Sequence, residues 1–254
     1  IPPVLKGHCR RDVVRKSVQS SSVWPLFTKH ALKVSHRQKK GKDYAEWIET
    51  IGNGTIAAKG QLNGEKGYIV LDRCCCVFTH KIAIDFAFPY PNDASKCASS
   101  KILSTTNAAV DAFNDTILDV LTDTYRLPEH FRYSADEIEH DKADNMIADG
   151  ISAEFLNAQN DHGVPPHKLR LVVGGLYELM RNFSADDRLM NHTPVILHAV
   201  HEKHVVVRTL DGRTFPLPRI VFRLTLTKGM NTIVRRQYPL RPGYASTYNG
   251  SQGA

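Results

Sequence analysis

No apolar run in this chain approaches the ~18 residues that cross a bilayer, so no membrane-spanning helix is expected. The five cysteines are odd in number, and three of them, Cys74, Cys75 and Cys76, are consecutive. That arrangement makes a poor disulfide framework and fits a reducing compartment. Paired zinc-ligand spacing is missing around them and nearby His80, and the twelve histidines follow no ligand pattern. No metal site is expected on that ground. The sequence has no Gly-x-x-x-x-Gly-Lys-Ser/Thr run, which excludes the usual phosphate-binding loop. Gly41-Lys42 comes nearest, but His36 stands where the first Gly belongs and Asp43 where Ser or Thr belongs. No apolar strand ends in the paired acids that hold magnesium, and no Ser, His or Cys arrangement marks a nucleophile.

What is present fits a folded domain. At 254 residues and 42% hydrophobic, the chain is long and apolar enough for one large domain or two modest ones. The formal charge of +7 favours a polyanionic partner, because cationic side chains release counterions from nucleic acid when they bind it. Charge alone does not name that partner.

Periodicity places the elements. Arg10, Arg11, Arg15 and Lys16 interleave with Val13, Val14 and Val18 as a short amphipathic helix. Ala31 to Val34 reads as a strand, and Tyr44, Trp47, Ile48 and Ile51 share a helix face that Gly52, Asn53 and Gly54 end. Tyr68 to Leu71 reads as a strand, and Ile82 to Phe88 fits helix or strand. Ile102 and Leu103 lead through Thr105, Thr106 and Asn107 into a helix with Val110, Phe113, Ile117 and Leu121 on one face. Thr106 or Asn107 caps it, and its first N–H groups can face a phosphate. Residues 122–168 read as polar and loop-rich, with capping-box spacing from Ser134 to Glu137. From Leu169 the period becomes two. Leu169 to Val173, Val195 to Val200, Val205 to Thr209 and Ile220 to Leu226 read as strands, with a turn at Asp211-Gly212. Several short strands in sequence predict a small β-barrel. A β-rich module thus interrupts a helix–strand region that resumes from Arg235.

Taken in order, these segments resemble the PIF-type DNA helicases of superfamily one, including the helicase part of Helitron transposons. Ile1-Pro-Pro-Val-Leu-Lys-Gly7 and Trp24-Pro25 resemble the stretch after the family's third motif, and Leu32 to Arg37 its fourth. Thr106-Asn107, Val110 and Asn114 match a Thr-Asn-x-x-Val-x-x-x-Asn pattern. The most specific run is Glu154 to Asn157, Gly163, Pro165 to Leu169, Leu171, Val173-Gly174 and Met180 to Asn182. Arg236 to Pro239, Arg241, Thr247, Asn249 and Ser251 to Gly253 resemble the return to the motor and its fifth motif. The missing phosphate loop and acids are departures from that family, and others fall within the matched segments. Gly250 replaces that motif's Lys, Asn191-His192 replaces an Asn-Gly, and Pro242-Gly243 breaks an apolar strand.

The resemblance implies an α/β fold: a RecA-like (P-loop NTPase type) second motor domain with an inserted small β-barrel. Residues 1–30 are then a remnant of the first motor domain, 31–125 and 235–254 the second, and 126–234 the inserted loop and barrel. It implies a part of an ATP-dependent 5′→3′ DNA helicase of repair, recombination or transposon replication, in the nucleus or another DNA-containing compartment. ATP and magnesium are the implied cofactors, although without the loop and the acids neither is expected to bind well to this chain alone. The expected partners are single-stranded DNA and the missing N-terminal motor half, with no membrane. Arg37 is implied to sense ATP across the cleft; read alone, it is a surface Arg in the basic run to Lys42. Implied DNA contacts are Thr106 and Asn107, which also read as plain caps, and His167 and Lys168, which also read as a solvated strand edge. Arg181 and Asn182 lie just beyond that edge, and Thr247, Asn249, Ser251 and Gln252 sit on the terminal loop. The alternative is a catalytically inactive remnant that binds single-stranded DNA or a protein.

Overall fold

The computed structural model describes residues 9–28, 30, 42–52, 79–139, 152–159, 163–225, 232–248 and 250–251. The chain falls into two compact units, 1–72 and 73–254. In the first, helix α1 spans Arg10–Arg15, with Asp12 in its first turn and Arg15 in its last, the signs that suit a helix dipole. Helix α2 spans Lys42–Gly52. The strands expected at 31–34 and 68–71 lie outside the described residues, as do Cys74 to Cys76. No described helix is long and apolar enough to cross a membrane.

The second unit opens with helix α3, His80–Ala87, so the ambiguous run from Ile82 is helical. Thr79 fixes its start by accepting a hydrogen bond from the Ile82 N–H at 3.2 Å. The short helix α4, Ala94–Cys97, follows. Strand β1, Ile102–Ser104, leads into helix α5, Asn107–Asp119, which runs on through a π turn at Val120–Thr124. Ile117, Leu118 and Leu121 are fully buried against Phe88 and Tyr244. The helical face read from Val110 to Leu121 is therefore the packed face.

Twelve strands complete the described part, and a parallel pairing joins the first to the last. Strand β12, Ala245–Thr247, returns from the end of the chain to lie parallel to β1, with Ile102 opposite Ala245 and Ser104 opposite Thr247. Between them lie β2 (Glu129–Tyr133), β3 (Ala135–Glu139), helix α6 (Ala153–Ala158), β4 (Lys168–Val172) and β5 (Leu176–Leu179). Then come β6 (Pro194–Val200), β7 (His204–Thr209), β8 (Thr214–Pro218), β9 (Ile220–Thr225), β10 (Thr232–Gln237) and β11 (Leu240–Pro242). Their sheets run β11-β5-β6-β7-β8, β3-β10-β9 and β2-β4; among the described residues these strands form three sheets and no closed ring. The Asp211-Gly212 turn joins β7 to β8 as expected, with Gly212 at a φ of +91° that favours glycine.

The described residues of 122–168 include β2, β3 and α6 where loop was expected, and the Ser134–Glu137 capping box is not formed. Ser134 sits between β2 and β3. Its hydroxyl donates to Asp136 Oδ1 at 2.6 Å and lies 2.8 Å from His167 Nδ1. The ladder of β3 with β10 satisfies backbone groups that a helix would otherwise have to satisfy locally.

Arg235 on β10 ties this region together. Its side chain is fully buried beside an equally buried Asp136. It donates to both Asp136 carboxylate oxygens, at 2.7 to 3.1 Å, and to the carbonyls of Leu156, Asn157 and Pro165. Gln237 adds bonds to the Arg132 and His167 carbonyls, both at 3.0 Å. Residues 165–167 and 235–237 therefore touch, and the strands between them leave and return at neighbouring points. Nearby, the Tyr238 hydroxyl is buried without a hydrogen-bond partner among the described residues. An unpaired buried hydroxyl costs free energy, so Tyr238→Phe is expected to leave stability unchanged or raise it by about 1 kcal/mol in urea unfolding. A loss above that would mean the hydroxyl is bonded in solution.

Candidate nucleic-acid interface

The parallel β1–β12 pair sets the site. Parallel strands end together, and here Ser104 and Thr247 end beside the first turn of α5. In open α/β sheets, ligands bind in the crevice at such carboxyl ends. Thr106 caps α5 by accepting a hydrogen bond from the Ala109 N–H at 3.3 Å. Asn114, one helix face along, is buried and accepts a hydrogen bond from the Ala245 N–H at 2.9 Å. The Thr-Asn-x-x-Val-x-x-x-Asn pattern thus has a structural reason: a cap, an apolar contact and an anchor for β12. Tyr248 N–H donates to the Ser104 carbonyl at 2.9 Å, and Gly250 N–H to Thr247 Oγ1 at 3.1 Å. A Cβ at Gly250 would lie 2.9 Å from that Oγ1, so this turn as folded suits glycine.

A cavity of about 410 Å³ opens at this edge, and Asn107, Lys168 and Thr247 all line it. Asp111 and Asp115 on α5 and Arg170 on β4 share the lining. Burial raises the Asp115 carboxyl above its ordinary value, the Arg170 charge opposes that rise, and the Asp119 carboxylate adds to it. Arg170 is fully engaged: it meets Asp119 Oδ1 at 2.7 Å and Thr122 Oγ1 at 3.4 Å, and bonds Glu129 closely. The run His167, Lys168, Arg170 is therefore not one free basic cluster. His167 lies against Ser134 and 3.9 Å from Asp136, while the Lys168 ammonium sits 4.3 Å from the centroid of the Phe131 ring.

Of the other expected residues, Arg181, Asn182 and Ser251 do not line this cavity. Arg181 stacks 4.6 Å over Phe222 and donates to the Met180 carbonyl. Asn182 Oδ1 accepts from the Asn191 N–H at 2.7 Å, bracing the turn in which His192 takes a φ of +67°. That φ is one glycine adopts freely. Ser251 lines a second cavity, of about 700 Å³, with Lys101 and His192. Buried Glu178 anchors it, bonded to Lys101 and, at 2.9 Å, to Arg241. Arg37, Asn249 and Gln252 lie outside the described residues. Sequence reading missed Glu178, Arg235 and Asp136; nothing local marks a charge as buried and paired.

Among the described residues no three His, Cys, Asp or Glu side chains converge as metal ligands. The sequence has no phosphate-binding loop, and no site for ATP with magnesium is evident among the described residues. Burial, reinforced by the Asp93 charge, pushes the Cys97 thiol up to about 11, so it is no nucleophile near neutrality.

These features define a mixed α/β unit with a polar crevice at the ends of parallel strands. Its fold is similar to part of known DNA helicase structures. One is the Pif1 helicase from Candida albicans, with 17% identity and a TM-score of 0.55 over 92% of this chain and 51% of that one. Another is the Pif1 helicase from Bacteroides in complex with ADP-AlF3 and ssDNA, with 15% identity and a TM-score of 0.55 over 99% of this chain and 51% of that one. The chain spans about half the length of each. No family model and no curated protein matches the sequence.

Proposed function

We propose that this chain is the C-terminal motor part of a PIF-type, Helitron-like DNA helicase, and that on its own it binds single-stranded DNA without turning over ATP. In this reading 31–125 and 235–254 form the RecA-like second motor domain, 126–234 the inserted β-barrel module and 1–30 a remnant of the first motor domain. Arg37 would reach the nucleotide only when the missing N-terminal half supplies the phosphate loop. The whole motor would then unwind DNA 5′→3′ in repair, recombination or transposon replication, in the nucleus or another DNA-containing compartment.

One observation carries the DNA reading. The β1–β12 register brings Asn107, Thr247 and Lys168, far apart in sequence, to one cavity at a helix start. Backbone N–H groups, an amide, a hydroxyl and an ammonium are the groups that hold phosphate. The competing reading, a protein-interaction remnant, draws on the structural engagement of His167, Arg181 and Asn182.

Titration of labelled oligonucleotides of differing sequence separates them. Weak binding with no sequence preference is expected. If about three phosphates are neutralised on a single strand, raising salt from about 50 to about 200 mM should weaken binding about twentyfold. Absent or salt-insensitive binding leaves the interaction reading.

A further inference from the structure

Strand β2 is inside out. Its partner β4 turns Leu169 and Leu171 into the core, and opposite them stand Arg132 and His130. The other face of the ribbon carries Phe131 opposite Arg170 and Tyr133 opposite Lys168. Phe131 is 38% exposed and Tyr133 54%. A strand with one buried face ordinarily turns its aromatics inward and its charges outward. Here the two rings are open to solvent, with Arg170 and Lys168 opposite them, Glu129 on the same face and the His167 ring 5.5 Å from that of Tyr133.

That face continues the cavity already described, since Lys168 and Arg170 line it together with Asn107 and Thr247. We propose that Phe131 and Tyr133 are a stacking platform for the bases of a single nucleic-acid strand whose phosphates pass Lys168. The inference rests on the single-strand reading above and assigns it a base-contacting surface. Two residues along a strand, the backbone positions that carry the rings are about 6.8 Å apart, roughly twice the rise per nucleotide of one duplex strand. A strand drawn out along β2 can therefore set one base on each ring. Stacking of this kind is tolerant of sequence, because every base offers a π face. Lys168 has a flexible stem, and its ammonium now covers the Phe131 ring. It can swing to a phosphate and uncover that ring for a base. Arg170 stays bound to Glu129 and Asp119, which holds the ribbon rigid under the rings. Exposed rings beside the movable Lys168 ammonium suit a strand with stacking bases better than an apolar peptide.

The test compares a labelled oligo-dT with an abasic oligonucleotide of the same length, by fluorescence anisotropy at low salt with the full chain. The wild type is expected to bind oligo-dT about tenfold or more tightly than the abasic strand. The double variant Phe131→Leu/Tyr133→Leu keeps apolar bulk on the strand but removes both rings. It should bind oligo-dT only as well as the abasic strand, with abasic binding unchanged. Tyr133→Trp should keep the preference. Equal wild-type affinity for both strands overturns the platform and leaves the single-strand reading standing, as does an equal loss on both strands in the double variant. Binding of neither strand by the wild type overturns both. If the double variant fails to fold, the wild-type comparison and Tyr133→Trp still decide.

Discussion

Arg235→Met is expected to remove about 3–5 kcal/mol of folding stability, the usual cost of breaking a buried ion pair by deleting one partner. The size follows from what is left behind. Asp136 would remain buried with its main cation gone, and the Leu156, Asn157 and Pro165 carbonyls would each lose a donor. Methionine fills much of the volume, so the loss reports charge and hydrogen bonding more than a cavity. The same sheet supplies a control. Arg223 meets Glu139 at 3.1 Å, but both side chains are largely exposed, at 64% and 44%. Water screens that pair, so Arg223→Met should cost about 1 kcal/mol or less. Urea unfolding of the three proteins gives the comparison. Similar small losses for both variants would mean that Arg235 is solvated and that residues 165–167 and 235–237 are not held together by it. Because Arg235 fixes the segment that leads into Lys168, its loss should also weaken binding of single-stranded DNA.

No nucleotide turnover is expected from the chain alone, even with saturating single-stranded DNA and magnesium. Phosphoryl transfer in this class is chiefly positioning and charge stabilisation. A backbone cradle, its Lys and a magnesium ion must hold the phosphates before any second-domain cation can matter. The sequence has no such loop and no strand ending in paired acids. Arg37 could supply a charge, but it cannot build a triphosphate site. These groups act as a unit, so losing cradle and metal together should abolish the rate and not merely reduce it. Phosphate release measured beside an Arg37→Ala variant tests this. DNA-stimulated release that vanishes in the variant would reveal a nucleotide site on this chain and overturn the half-motor reading.

Features decided within a few residues are legible in the amino-acid order. Helix α5 is one, because Thr106 caps it and Ile117 and Leu121 recur at helical spacing. The Asp211-Gly212 turn is another, because the backbone there needs a positive φ. Helix α2 and the alternating strands from Leu169 onward belong with them. The capping box at Ser134 misleads for a matching reason: its local pattern is sound, but the β3–β10 ladder offers the same backbone groups distant partners. The candidate site is only half legible. Thr106 and Asn107 are marked by the turn that leads into a helix, whereas the exposed rings of Phe131 and Tyr133 gain meaning only when β4 shows which way β2 faces.

The sequence by itself determined the local elements, the basic charge, the absence of a phosphate loop and the ordered segments that resemble a helicase motor. Those depend on neighbours in the chain, whose geometry is fixed by bonding and backbone sterics. Tertiary structure alone decided that β12 lies beside β1, that Arg235 buries its charge on Asp136, and that Lys168 and Thr247 share a cavity with Asn107. Each of these joins residues widely separated along the chain. Their free energy comes from burial and desolvation, which exist only once the chain has folded around them.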